Sequence, residues 1–306
     1  MIPILDWTEY ETDPASFSAK VGAACRDHGF FLLSKPAVAL SLREAMFTQA
    51  KAFFALPDSE KAKIDIQNTP HFRGWAREGL ESLDETRPEV DRKESFNAGY
   101  DLPSEDPRVI AGEPFRGVNQ WPDLPGFRDT VLSYYDAALK LGIALHQAFA
   151  TDLGLPEDYF ERLFDEPLAA LRILYYPAHD GRGDVIGAGA HTDYGACTLL
   201  MTDGEPGLQV RPRGEDWIDV PHLEDAYVVN IGDCMMRWTN DTYISTPHRV
   251  LPPKRERYSI AMFIEANPDT IVAALPGTGT PRYSPIRAAE YLQSRLDATY
   301  APKEVS

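Results

Sequence analysis

The chain has 306 residues, 43% of them hydrophobic and 25% charged, with a formal net charge of −17. That length holds one large domain or two small ones with a substantial core, and the acidity argues against nucleic-acid or anionic-membrane partners, which need a basic face. Cys25, Cys197 and Cys234 are too few and too scattered for a disulfide framework or a Cys-based zinc site. No apolar run approaches the ~20 residues of a membrane span. The N-terminus has no basic flank leading into an apolar run, so no signal peptide is expected and the location expected is cytoplasmic.

Ile2 to Leu5 reads as a short strand. Asp13-Pro14 supplies an N-cap and a first-turn proline for a helix reaching about Asp27. Gly29 stops that helix, and Phe30-Phe31-Leu32-Leu33 reads as a buried strand. Residues 38 to 54 place Leu40, Leu42, Met46, Ala50 and Phe53 at helical spacing. From about Asn68 to Pro122 the periodicity weakens while Gly, Pro and charge accumulate, as in a lid or substrate-facing arm. Residues 126 to 153 read as one long amphipathic helix, with Val131, Tyr134, Tyr135, Ala138, Leu141, Leu145 and Phe149 near one face. Beyond Leu168, short apolar runs between turn residues predict strands at Leu171–Tyr176, Thr198–Met201, Leu208–Val210, Tyr227–Ile231, Arg249–Leu251 and Tyr258–Ile264. That rhythm suits a sandwich, barrel or jelly roll. Ser284-Pro285 opens a final helix to about Tyr300. The chain divides into an N-terminal helical and mixed region with an irregular arm (1–120) and a long helix, β core and C-terminal helix (121–306), together forming one unit.

His191-Thr192-Asp193 lies in a segment that reads as strand. Side chains alternate along a strand, so residues 191 and 193 share a face and can offer an imidazole and a carboxylate to one ion. His248, 57 positions later (248 − 191), stands at another predicted strand start. Together they form a 2-His-1-carboxylate set, which fills one face of an octahedral ion and leaves the other open, as in non-haem Fe(II) oxygenases. A lone His-x-Asp triplet has a plainer alternative, a hydrogen-bonded histidine near a strand end. Here the small, turn-like residues Gly187 to Ala190 and Tyr194-Gly195 place the triplet at a barrel mouth. His28, His71, His146, His179 and His222 lack such a setting and read as structural. Arg257 and Ser259 also share a strand face, and a guanidinium beside a hydroxyl suits a carboxylate.

The set His191-x-Asp193, His248 and Arg257-x-Ser259 resembles the signature of 2-oxoglutarate/Fe(II)-dependent dioxygenases. More narrowly, the chain resembles the branch containing isopenicillin N synthase, the plant gibberellin and flavonoid oxygenases and ACC oxidase. Asp27-His28-Gly29-Phe30-Phe31, Phe53-Phe54-Ala55-Leu56-Pro57, Tyr175-Tyr176-Pro177, Gly207-Leu208-Gln209-Val210, Asn230-Ile231-Gly232-Asp233 and Trp238-Thr239-Asn240 are similar to that branch in the same order. The resemblance implies a mixed α and β fold: a double-stranded β-helix, or distorted jelly roll, with supporting helices outside. It implies Fe(II) on His191, Asp193 and His248, and 2-oxoglutarate as cosubstrate with its distal carboxylate on Arg257, Ser259 and Tyr176. With O2, it implies oxidation, most simply hydroxylation, of a small organic molecule, with release of succinate and CO2. Leu174 departs from the plant oxygenases, where a polar residue often stands.

Arg73-Gly74-Trp75 resembles a family segment lining the substrate mouth, and Arg172 shares the face of Tyr176 by alternation. Two arginines at one pocket favour an anionic substrate such as a small carboxylic acid; the plainer alternative for Arg73 is a solvated loop residue. Phe72, Phe96 and Tyr100 are candidate lid aromatics against ordinary packing, with Phe96 named as a substrate contact. Two other functions stay open at this point: an Fe(II) oxidase of the same family that does not consume 2-oxoglutarate, and a small-molecule receptor with a jelly-roll pocket. No protein, nucleic-acid or membrane partner is implied.

Overall fold

The apolar runs of the second half do form strands, and they recruit further strands from the first hundred residues. A computed structural model describes residues 1–84, 91–180, 182 and 185–299. In chain order the first half gives β1 (Ile4–Asp6), α1 (Thr8–Thr12), α2 (Pro14–Asp27), β2 (Phe30–Ser34), α3 (Leu40–Phe54), α4 (Asp58–Lys61), β3 (Gly74–Ala76), β4 (Glu94–Gly99), α5 (Pro107–Ile110) and α6 (Phe127–Asp152). The second half gives β5 (Ala170–Tyr176), β6 (Ala188–His191), β7 (Cys197–Thr202), β8 (Leu208–Val210), β9 (Ile218–Asp219), β10 (Ala226–Ile231) and α7 (Asp233–Trp238). Then follow β11 (His248–Val250), β12 (Arg257–Ile264), β13 (Ile271–Val272), β14 (Ile286–Arg287) and α8 (Ala288–Thr299).

An eight-stranded sheet, ordered β1-β2-β10-β7-β12-β5-β4-β3, packs over a four-stranded sheet, β6-β11-β8-β9. Between them lies a buried cluster that includes Leu174, Val228 and Ala261 from the large sheet and Ala188, Leu208 and Val250 from the small one. The opposite face of the large sheet carries the helices. Val131, Tyr134, Ala138, Leu141, Leu145 and Phe149 form the buried stripe of α6, which packs on α2 and α3. Each Val, Leu or Phe of that stripe contributes about 1.5–3 kcal/mol by leaving water. The Asp13 carboxylate caps α2 by accepting from Ser16 N at 3.1 Å, and the helix stops before Gly29, whose φ is 65°. The double-layered β core with helices outside is the jelly-roll arrangement expected. No described helix is long and apolar enough to cross a membrane.

Three elements differ from the sequence reading. The supposedly irregular arm contains β3 and β4, and β4 pairs with β5 from Glu94↔Tyr175 to Gly99↔Ala170. Ser95-Phe96-Asn97-Ala98 does alternate, but its polar residues lie in a charged, Gly- and Pro-rich stretch and read as solvated chain, although both faces of the strand are buried. The final helix starts at Ala288, because Ile286 and Arg287 are captured by pairing with Val272 and Ile271. Phe96, expected as a substrate contact, does not line the cavity. The pleat of β4 turns it toward the helices, while its neighbour Asn97 takes the cavity side. There Phe96 meets Phe53, Trp121 and Phe127 at ring-centroid distances of 5.3, 5.9 and 5.0 Å. Phe96→Ala should therefore cost about 3–5 kcal/mol in urea unfolding. Lost turnover at undiminished stability would contradict this packing role.

Candidate metal centre and adjoining cavity

The β6–β11 register sets His191 opposite His248, and their ring centroids stand 4.3 Å apart. Asp193 lies two residues beyond the end of β6, so the turn aims it and strand alternation does not. That turn is pinned from α7 and its N-terminal flank: Asp233 N donates to Asp193 O at 2.8 Å and Gly232 N to Ala196 O at 2.9 Å. Asp193 Oδ1 then stands 3.8 Å from His191 Nε2 and 3.6 Å from His248 Nε2. One ligand atom from each of the three residues lies within 4.8 Å of the others.

The remaining polar atoms of the triad are all engaged. Asp193 Oδ2 accepts from Thr198 Oγ1 at 2.5 Å and Asn230 Nδ2 at 2.6 Å. Thr198 and Asn230 are direct partners across β7 and β10. His191 Nδ1 donates to Gly189 O at 2.7 Å and His248 Nδ1 to Thr246 O at 3.3 Å. A carbonyl only accepts, so each Nδ1 carries the hydrogen and each Nε2 lone pair is free for an ion.

Burial pushes the His191 pKa down to about 4, and His248 adds to the effect. Burial also opposes a proton on His248, but the Asp193 carboxylate outweighs it and holds that pKa above the ordinary histidine value. For Asp193 burial favours the neutral acid, yet His248 and the hydrogen bonds keep its carboxyl well below the usual range. The centre favours one positive charge beside Asp193, and a divalent cation would displace the proton from His248.

The triad opens into a cavity of about 160 Å³ between the sheets. Arg257, Ser259, Ala261 and Phe263 of β12 line it, whereas Tyr258, Ile260, Met262 and Ile264 join the helical-side core. Arg172, Leu174 and Tyr176 of β5 line it in the same way. Arg257 is 1% exposed and sits opposite Tyr176 in the β12–β5 register. It donates to Ser259 Oγ at 3.3 Å and Glu205 O at 3.2 Å, with its guanidinium 5.0 Å from the Tyr176 ring centroid. Among the described residues no carboxylate pairs with it. A buried guanidinium without a counter-anion is costly, so this end is complementary to a carboxylate ligand.

Arg73 and Arg172 both reach the cavity wall. Arg73 is not a solvated loop residue: it is buried and donates to Asn119 Oδ1 at 3.2 Å and Phe115 O at 3.1 Å. Arg172 donates to Glu81 Oε2 at 3.3 Å and Asn97 Oδ1 at 3.1 Å. Lys93, also on the wall, lies 3.0 Å from Glu81 and 2.5 Å from Asp91, and Asp91 ties the network to β6 by accepting from Gly189 N at 3.0 Å. Of the two arginines expected at the pocket, Arg172 is answered by Glu81, whereas Arg73 has no carboxylate partner among the described residues. Glu265, just past β12, adds a buried carboxyl to the same wall, and burial, reinforced by Asp193, raises its pKa to about 8. Leu292, Leu296 and Thr299 of α8 reach the wall, and Tyr194 OH meets Thr299 Oγ1 at 2.7 Å.

Phe72 and His71 reach the cavity too; Tyr100 packs beneath Arg116. His146 is structural as expected: buried in α6, bonded to Gly142 O and packed on Phe164. Sequence reasoning missed Glu265, although counting by twos from Arg257 reaches it. It also missed Glu81, Asp91 and Lys93, whose charges look like solvated arm residues. Removing Lys93 as Lys93→Met would leave buried Asp91 without a cation and Glu81 with Arg172 alone, and a loss of about 3–5 kcal/mol is expected in denaturant unfolding. Unchanged stability would mean that solvent already screens the network.

A family model described as "non-haem dioxygenase in morphine synthesis N-terminal" matches residues 2–124, and that of the 2OG-Fe(II) oxygenase superfamily matches residues 167–266. The 2-oxoglutarate-Fe(II) type oxidoreductase hxnY of Emericella nidulans is 36% identical, with 99% of this chain and 91% of that protein aligned. The 2-oxoglutarate-dependent dioxygenase citB of Monascus ruber is 36% identical over 98% and 95% of the two chains. Among solved structures, a full-length Neurospora crassa protein in complex with alpha-KG matches with a TM-score of 0.86 and 32% identity, covering 97% of this chain and 96% of that one. The same Neurospora protein has also been crystallised with alpha-KG and thymine together, and that form matches at a TM-score of 0.85.

Proposed function

The chain belongs to the 2OG-Fe(II) oxygenase superfamily, and from that premise we propose that His191, Asp193 and His248 hold its Fe(II) while Arg257, Ser259 and Tyr176 hold the distal carboxylate of 2-oxoglutarate. The protein is a non-haem Fe(II)- and 2-oxoglutarate-dependent oxygenase acting on a small organic molecule. The observation that carries the residue assignment is the convergence of three donors on a cavity whose other end holds a buried, unpaired guanidinium. Two imidazole lone pairs and one carboxylate oxygen fit a divalent iron with its cavity side open.

Bound iron supplies O2 activation, coupling decarboxylation of 2-oxoglutarate to succinate and CO2 with oxidation of the substrate, most simply hydroxylation. The chain's own residues do the positioning. Thr198 and Asn230 hold Asp193 Oδ2, so that Oδ1 faces the two imidazoles. Arg257 anchors one end of the cosubstrate by charge-assisted hydrogen bonds, Ser259 adds a hydroxyl, and Leu174 beside them contributes only apolar wall. Leu200, Leu208 and Val250 keep water from that end. Likeness to the Neurospora protein, crystallised with thymine, supports a small molecule as substrate. The two segments 1–120 and 121–306 serve one site in this reading, since Arg73 and Asn97 of the first line the cavity of the second. A cytoplasmic location suits the three buried free cysteines.

The family relatives weigh against a receptor and against an oxidase that spares 2-oxoglutarate, because they are named 2-oxoglutarate-dependent enzymes. Anaerobic Fe(II) and 2-oxoglutarate should give a weak visible charge-transfer band, and air should yield succinate; the absence of both signals would remove the proposal. His191→Ala should abolish iron retention in a metal assay. Arg257→Ala should weaken 2-oxoglutarate binding by about 2–5 kcal/mol while sparing the iron. Equal cosubstrate affinity in the two proteins would contradict the anchoring role.

A further inference from the structure

Besides Arg257, two buried ionisable side chains on the cavity wall have no oppositely charged group in contact among the described residues. Glu265, 8% exposed, continues the odd-numbered row of β12 into the cavity. Among the described residues no hydrogen bond or ion pair engages its carboxyl. Gly195 makes the room for it: a Cβ there would lie 2.5 Å from Glu265 Cγ and 3.0 Å from Ile264 O. Arg73, 5% exposed, uses two of its five N–H groups on Asn119 and Phe115 O, and no carboxylate pairs with it among the described residues. Apart from Arg172, whose guanidinium donates to Glu81 and Asn97, the wall around both is apolar, with Phe72, Leu168, Phe263 and Leu292. From Arg257 to Glu265 is eight steps (265 − 257), about 26 Å at a strand rise of ~3.3 Å per residue. Glu265 therefore stands at the end of the cavity away from the cosubstrate anchor.

A buried acid that nothing in the fold satisfies costs stability unless a ligand answers it. A simple carboxylic acid would satisfy Arg73 but offer Glu265 no N–H. A simple amine would do the reverse. Resting on the oxygenase reading above, which leaves this end of the cavity for substrate, we infer that Glu265 and Arg73 together select a compact substrate with an apolar body, an N–H donor for Glu265 and an oxygen acceptor for Arg73. That chemistry is found in amides and in amino acids.

The test is substrate-stimulated succinate release by the iron- and 2-oxoglutarate-loaded full chain. One matched set is 2-piperidone with N-methyl-2-piperidone; the other is leucine with its N-trimethyl betaine and with 4-methylpentanoate. The wild-type protein should respond ~10-fold or more to an N–H compound over its partner without one, and the set that responds distinguishes neutral amide from amino acid. In Glu265→Leu that ratio should fall to near one, and loss of an unsatisfied acid should leave the melting temperature equal or higher. Glu265→Gln, which keeps an acceptor, should retain part of the preference. Equal wild-type responses within both sets overturn the inference, and so does a preference that survives Glu265→Leu. The wild-type comparison needs no variant, so the inference stays exposed even if Glu265→Leu folds poorly. Failure of the wild-type protein to give the Fe(II)–2-oxoglutarate band would strike the underlying reading instead, and is seen before any substrate is added.

Discussion

The divided duty of one carboxylate governs the site. Asp193 has two oxygens, and the molecule spends one to fix the other: Thr198 and Asn230 grip Oδ2, which leaves Oδ1 directed at both imidazoles. The two gripping residues stand opposite each other only because β7 and β10 pair in one register. A slip of one residue would turn both side chains to the other face of the sheet. The hydrophobic pattern that fixes the register of the large sheet thereby also fixes the rotation of a single side chain at the centre of the chemistry. The histidines depend on the smaller sheet in the same way, through the pairing of β6 with β11.

Stability and chemistry occupy opposite faces of the large sheet. On β12 the even residues Tyr258, Ile260, Met262 and Ile264 enter the helical-side core, and the odd residues face the cavity. The helical side, with α6 as its long buried stripe, offsets what the cavity side costs in buried Lys93, Arg73 and Arg257. Lys93 is compensated by Asp91 and Glu81, and Arg172 by Glu81, so those charges form a scaffold around the triad.

What could be read in the sequence followed local periodicity. The long helix expected at 126–153 is Phe127–Asp152, and the strand expected at Tyr258–Ile264 is Arg257–Ile264. His191, Asp193 and His248 were legible as donor types, and the structure brings them together. Their aim was only half legible, since a turn beyond β6 directs Asp193. β4 was illegible because its buried polar residues, Ser95 and Asn97, look like solvated arm, and Phe96 was misplaced with it. Asp91 and Lys93 form a buried pair only through contacts distant in sequence, so local composition made them look like surface charge. Two-residue strands such as β14 carry too little pattern to outweigh a proline-opened helix signal, and tertiary pairing decides them.

The pleat of β12 has an evolutionary corollary. One uninterrupted strand assigns its alternate residues to two different media, and it supplies both extremities of the reaction chamber. An inserted or deleted residue within it would exchange the dry and chemical rows over everything downstream, relocating Arg257 or Glu265 together with their neighbours. Such a segment can diversify by point replacement alone, so new specificities in this lineage would be expected to arise position by position along the odd row, with changes of length confined to the connecting loops.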